Sequence, residues 1–199
     1  MARFLSRQFE HRDRLYHLEI GIDQIAALRD ELSIEISARS HSPRGDGGVS
    51  IQAVLTVDLE RHEIVIEIEG EELGRIPLDA TAVADVDEAD AEGAEGIARE
   101  AWDGLVEHLV DGDGNPVAET IEAIIDAIPT GDPLLGCLLK GAISASVGQI
   151  IRCYGKLSPQ DETVRQKLRA LARCLGRNVW GMLGRATARA LRCMVRGGF

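Results

Sequence analysis

The sequence predicts an α+β fold, in which a small antiparallel β-meander with flanking helices precedes a mostly α-helical C-terminal domain. Two patterns indicate this class: apolar residues alternate with polar ones between residues 34 and 68, and apolar residues recur at helical spacing in the second half. The chain has 199 residues and is 45% hydrophobic, enough to bury the core of one domain or two small ones. We expect an α+β domain over residues 1–84, an acidic helical segment over 85–130 and a cationic helical domain over 131–199.

The first segment is expected to combine helix and sheet. Residues 22–32 place apolar side chains near helical spacing, and residues 3–21 are compatible with a further amphipathic helix. The period then changes to two in residues 34–36, 49–57 and 64–68. This alternation predicts a sheet of three or four strands with one apolar face, and we expect the adjacent helices to cover that face.

Helices are expected throughout the rest of the chain. Residues 97–110 and 116–128 each place apolar residues on one face and carboxylates elsewhere. Residues 133–154 predict an apolar helix of about the length that crosses a bilayer, roughly 20 residues. Its polar interruptions and small residues favour instead a helix buried in a folded protein. Residues 161–196 predict a basic amphipathic helix or helix pair.

Charge is divided unevenly along the chain. Residues 1–130 contain 10 Lys and Arg against 30 Asp and Glu, a net charge of −20, whereas residues 131–199 contain 12 against 3, a net charge of +9. The two parts sum to the −11 of the whole chain. Such a division suggests attachment to nucleic acid, to a membrane surface or to an oppositely charged protein surface.

The basic helix carries arginines at regular spacing. Four of them follow the pattern i, i+4, i+7 and i+11: Arg185, Arg189, Arg192 and Arg196. Guanidinium groups at this spacing lie along one side of a helix and repel one another, so an anionic counterpart is expected. The candidates are lipid headgroups, nucleic-acid phosphates and the acidic helices of residues 85–126.

A membrane surface is the partner that we favour for this helix. Arg173 and Arg177 extend the set of expected anion-contacting residues, and Trp180 suits the level of a bilayer interface. The alternative is an internal fold in which Trp180 is part of the core or half-exposed. Nucleic acid is less favoured, because the helix has no ladder of aromatic residues for stacking and the −20 region repels phosphate.

All four cysteines lie in the last third of the chain: Cys137, Cys153, Cys174 and Cys193. They form no CxxC pair and have no histidine at ligand spacing, which argues against a zinc site. Buried free thiols are the simplest interpretation. In an oxidising space, however, an antiparallel hairpin turning near residue 158 would pair Cys153 with Cys174 and Cys137 with Cys193.

Residues 111–122, DGDGNPVAETIE, imitate a calcium-binding loop. The weak candidate ligands are Asp111, Asp113, Asn115 and Glu122. The position that needs glycine for the sharp turn of such a loop is Pro116, whose fixed φ prevents that turn. We therefore interpret Asn115 as a helix N-cap and Pro116 as the first helical residue, and we expect no metal.

No catalytic motif is evident, so we expect neither an enzyme nor a cofactor. The five histidines are scattered, and there is no nucleophile elbow or phosphate-binding glycine loop. The leading hypothesis is a non-enzymatic membrane-active effector, toxin- or bacteriocin-like, whose cationic helices are neutralised by the acidic N-terminal portion. The alternative is an intracellular protein-interaction or self-assembly module, including a homo-oligomer, that docks through opposite charges.

The start of the chain lacks the apolar stretch and cleavage site of a secretory signal. We therefore expect cytoplasmic synthesis, with a membrane-associated or exported form as the alternative.

Overall fold

The computed structural model describes residues 3–23, 31–42, 47–78, 106–107, 109–110, 115–128, 131–157 and 163–197. An antiparallel sheet of six strands in sequential order is followed by helices, which confirms the predicted α+β class. The strands are β1 (Arg3–His11), β2 (Arg14–Asp23), β3 (Leu32–His41), β4 (Val49–Asp58), β5 (Glu63–Ile68) and β6 (Glu71–Pro77). The helices with bounds in the described residues are α1 (Pro116–Asp126), α2 (Pro133–Tyr154) and α3 (Val164–Gly197).

The sheet is larger than the three or four strands predicted, because residues 3–23 form the hairpin of β1 and β2 instead of an amphipathic helix. The alternation of β2 explains this outcome, since Tyr16, Leu18, Ile20 and Ile22 are all buried on one face. A two-residue turn at Arg12 and Asp13, with φ of 47° and 58°, joins the two strands.

Two further parts of the sheet differ from the prediction. The ends of the helix predicted over residues 22–32 belong to strands instead, because Ile22 lies in β2 and Leu32 in β3. Residues 24–30 lie outside the described part of the chain. Strand β6 was missed because its sequence, EELGRIP, contains a glycine and little alternation, and its pairing with β5 includes a register shift.

One face of the sheet packs against the helices and forms one side of the hydrophobic core. The register pairs buried residues with buried residues across the strands, as in Ile20 with Ile36, Ile36 with Ala53, and Leu55 with Ile66. Helix α1 packs against β6, where a Cβ on Gly74 would lie 2.7 Å from a methyl of Ile124. A single cluster of buried side chains includes members of the sheet and of α1, α2 and α3.

Helix α2 lies at the centre of this core. By length and composition it could cross a membrane, but 89% of its most apolar window is buried inside the protein. Helix α3 runs against it at close range, because a Cβ on Gly141 would lie 2.5 Å from the backbone oxygen of Ala186. Small residues at the contact therefore permit the close approach of the two helices, as they do in tightly packed helix pairs.

Helix α3 is one continuous helix that begins at Val164 rather than near residue 161. Thr163 and Gln166 form a capping box at its start: Thr163 Oγ1 accepts from Gln166 N at 3.2 Å, and Gln166 Oε1 accepts from Thr163 N at 3.1 Å. The domain boundaries predicted near residues 84 and 130 fall in 79–105 and 129–130, outside the described residues.

Candidate functional site

The side of α3 that faces solvent begins with a column of arginines. Arg169, Arg173 and Arg177 follow one another at intervals of four residues, and all three are exposed. None of the described carboxylates forms an ion pair with any of them. These side chains point outward because the opposite side of the helix, including Leu171 and Leu175, is buried in the core.

The same side of α3 becomes apolar toward its C-terminal end. Trp180 is 70% exposed, Leu191 53% and Val195 82%. At 3.6 residues per turn, these side chains and the three arginines fall within a strip about 100° wide around the helix axis. We call this set of six residues the α3 stripe: Arg169, Arg173, Arg177, Trp180, Leu191 and Val195. It combines positive charge with exposed apolar surface.

The arginine column predicted from the sequence is divided by the fold. Arg192 is exposed, whereas Arg189 is only 7% exposed and Arg185 is half-buried. Arg185 donates to the side-chain oxygen of Gln149, a buried residue of α2. The side chain of Arg196 lies outside the described part of the chain. The four arginines therefore do not act as one surface.

Glu107 pairs with inward-facing arginines of both α2 and α3. Its two oxygens each lie 2.5 Å from a guanidinium nitrogen, Oε2 from Arg189 of α3 and Oε1 from Arg152 of α2. Burial alone would raise the pKa of Glu107, but the charges of Arg189, Arg152 and Arg185 outweigh it and hold that pKa below its usual range. Glu107 belongs to the acidic segment predicted over residues 85–130.

Two disulfides link α2 to α3. Cys137 is bonded to Cys193, and Cys153 to Cys174, with Cα atoms 5.6 and 5.8 Å apart. This is the pairing expected from an antiparallel hairpin in an oxidising space, and the interpretation of the cysteines as free thiols is wrong. One bond lies near each end of α2, so the two helices cannot separate while both bonds are intact.

Asp132 forms a buried polar junction between the sheet and α2. Its carboxylate accepts from the backbone nitrogens of Leu134 and Leu135 at 3.1 and 3.3 Å, which caps α2. It also accepts from Tyr16 at 3.2 Å and Arg14 at 3.0 Å. Burial, followed by the charge of Asp132, raises the pKa of Tyr16. These contacts make Asp132 a structural link between β2 and the start of α2.

The residues of the calcium-like loop have other roles where they are described. Asn115 Oδ1 accepts from Val117 N at 3.0 Å and Pro116 is the first residue of α1, which confirms the N-cap interpretation. Glu122 pairs with Lys140 at 2.5 Å. Asp111 and Asp113 lie outside the described residues, and within those residues no three His, Cys, Asp or Glu side chains are grouped as metal ligands.

Sequence reasoning identified Arg173, Arg177 and Trp180 as surface candidates, and the structure places all three on the α3 stripe. It did not identify Arg169, whose spacing of four from Arg173 was the available signal. It also missed Leu191 and Val195, because a hydrophobic residue in an amphipathic helix is normally assigned to the core. No protein-family model, curated protein or solved structure matches this chain.

Proposed function

We propose that this protein is a non-enzymatic membrane-active effector, of the toxin or bacteriocin kind, that attaches to anionic lipid surfaces through the α3 stripe. The observation that carries the proposal is the composition of the stripe, in which three exposed arginines continue into an exposed tryptophan, leucine and valine. Amphipathic helices that lie at a membrane interface combine these two properties.

Both parts of the stripe contribute to the attraction. A Lys or Arg close to an anionic bilayer surface contributes about 1 kcal/mol, so Arg169, Arg173 and Arg177 together supply about 3 kcal/mol at low ionic strength. Trp180 is suited to the headgroup level, and Leu191 and Val195 remove apolar area from water when they enter the acyl boundary. Electrostatic attraction brings the protein to the surface, and apolar contact retains it there.

The acidic portion supports the proposal by neutralising the other arginines. Glu107 pairs with Arg152 and Arg189, which are buried, whereas Arg169, Arg173 and Arg177 of the α3 stripe are exposed. The outer face of the sheet, away from the helices, carries Glu35 of β3 and Glu67 of β5, which flank Val54 of β4 on its two sides. A molecule with positive and negative sides is oriented by an anionic surface, because the positive side is attracted and the negative side repelled.

The disulfides bear on where this activity takes place. Such bonds form and persist in oxidising environments and are rare in the reducing cytosol. We therefore propose that the protein works outside the cytosol after synthesis. Since both bonds link α2 to α3, attachment with the bonds intact uses the surface of α3 and leaves α2 in the core.

Vesicle flotation of the full chain tests the proposal. The protein is mixed with phosphatidylcholine vesicles, with or without phosphatidylglycerol, and dye leakage is recorded in parallel. We expect binding to the anionic vesicles alone, and a loss of about fivefold in affinity for Arg173→Gln. Arg39→Gln is the matched control, because Arg39 is also exposed but lies on β3. Equal binding by both variants would refute attachment through the α3 stripe, and no binding by the unmodified protein would refute membrane attachment itself.

A second candidate function is a protein-interaction or self-assembly module that docks through opposite charges. The observation that favours it is that the exposed arginines of the stripe adjoin exposed apolar residues, a combination that suits an acidic protein surface as well as a bilayer. This function predicts oligomers at low salt that dissociate at high salt, without vesicle binding. Size-exclusion chromatography at both salt concentrations distinguishes the two candidates.

A further inference from the structure

A depression of about 310 Å³ lies where the C-terminal end of α2 meets α3. Three cationic side chains line it: Lys156, from the turn that follows α2, and Arg173 and Arg177, from successive turns of α3. Ala170, Cys174 and Asn178 line the rest of it. We propose that this depression is a binding site for a phosphomonoester group.

The fold holds the three cations in place. The disulfide between Cys153 and Cys174 ties the last turn of α2 to α3 at the depression itself. The backbone nitrogen of Lys156 donates to the carbonyl of Cys153 at 3.2 Å, which places the Lys156 turn directly beside that bond. Lys156 therefore stays opposite Arg173 and Arg177, although it comes from another element of the chain.

Hydrogen bonds orient two side chains that line the depression. The Nε of Arg173 donates to the carbonyl of Arg169 at 3.3 Å, which leaves both Nη nitrogens for an anion. The amide nitrogen of Asn178 donates to the carbonyl of Cys174 at 2.8 Å. Within the described residues no carboxylate pairs with Lys156, Arg173 or Arg177. An anion in the depression would offset the mutual repulsion of these three charges.

The number of cations selects the class of anion. A phosphomonoester carries about −1.5 to −2 charges at neutral pH and has three acceptor oxygens, one for each cation. A phosphodiester carries a single charge and fewer free oxygens, so it leaves part of the site unsatisfied. This inference rests on the proposed membrane function in one respect, since it assigns the phosphomonoester to a lipid headgroup such as phosphatidic acid; the same group on a small soluble molecule is the other source.

The test compares two kinds of vesicle of equal surface charge, one containing phosphatidic acid and the other phosphatidylglycerol. We expect the full-length, oxidised protein to bind phosphatidic acid about fivefold more tightly. The ratio of the affinity for phosphatidic acid vesicles to the affinity for phosphatidylglycerol vesicles should fall toward one in each of three variants: Lys156→Gln, Arg173→Gln and Arg177→Gln. Arg169→Gln is the matched control, because it removes the same charge from the same helix outside the depression. It weakens binding to both vesicles equally and keeps the ratio.

A ratio of one for the unmodified protein, or an equal drop in the ratio for Arg169→Gln, overturns the proposal. If the protein binds no vesicle, the membrane function fails, and titration with glycerol 3-phosphate decides the site alone. Amide shifts in nuclear magnetic resonance spectra confined to residues 156 and 173–178, and abolished by Arg177→Gln, support a site for a soluble phosphomonoester. Their absence overturns the site as well.

Discussion

Glu107 and Arg189 form an ion pair at 2.5 Å between residues that are 82 positions apart in the chain. Arg189 is buried, and the other oxygen of Glu107 reaches Arg152, which is buried in α2. Glu107 thus pairs with a buried guanidinium group on each of the two helices that form the centre of the fold. Removing one member of a buried ionic group costs more than the group contributes, because the remaining charges stay in a medium that solvates them poorly.

Substitution of Glu107 should therefore destabilise the fold. We expect Glu107→Gln to lower the free energy of unfolding by about 2 kcal/mol, a reduced cost because the Glu107 side chain is 39% exposed and water screens the charge in part. Urea unfolding measures the change. Glu71→Gln, an exposed position on β6, is the control and should leave stability within about 0.5 kcal/mol. An equally small effect at Glu107 would show that the pair has little energetic weight.

The same residue predicts a dependence of stability on pH. The pKa of Glu107 is lower in the folded protein than in the unfolded chain, so its contribution is fully present above the unfolded value of about 4.3. That contribution is lost as the pH falls through the lower, folded pKa. Unfolding curves between pH 6 and 3 should show a steeper loss for the unmodified protein than for Glu107→Gln. Parallel curves for the two proteins would contradict this assignment.

The two disulfides predict the outcome of thiol counting, peptide mapping and cysteine replacement. Thiol counting in denaturant without reductant should find no reactive thiol, and peptide mapping should recover Cys137 with Cys193 and Cys153 with Cys174. Replacing Cys137 and Cys193 together by serine should lower the free energy of unfolding by about 4 kcal/mol, because this bond closes the longer loop. Replacing Cys153 and Cys174 should cost about 3 kcal/mol. The opposite order would contradict the loop-length argument.

Two glycines provide a matched test of the contact between α2 and α3. A Cβ on Gly141 would lie 2.5 Å from the backbone oxygen of Ala186, so Gly141→Ala must push the helices apart and should cost about 3 kcal/mol. A Cβ on Gly184 meets nothing within 4 Å, and Gly184→Ala should stabilise the helix by about 0.8 kcal/mol. Thermal and urea unfolding measure both changes. Equal effects of the two substitutions would be inconsistent with the described helix contact.

Much of the fold follows from local patterns in the sequence. The alternation of residues 49–57 and 64–68 matches β4 and β5. Successive side chains of a strand point to opposite faces, so an alternating sequence gives one apolar face whatever the position of the strand in the sheet. Asn115 and Pro116 begin α1 through contacts with their immediate neighbours. The first hairpin was mistaken for a helix because β1 is charged and carries few apolar side chains, although Tyr16, Leu18 and Ile20 alternate with polar residues in β2.

What the sequence by itself determined is the class of the fold, the apolar character of α2 and the separation of acidic from basic residues along the chain. Only the tertiary structure decided which arginines of α3 face the core and which face solvent. Arg173 and Arg189 have similar neighbours in sequence, but Arg173 is exposed and Arg189 is buried. The rotation of α3 about its axis is set by its close contact with Gly141 and by two bonds to α2. The physical reason is that periodicity is a local property of a chain, whereas the partner of a charge depends on contacts between residues far apart in sequence.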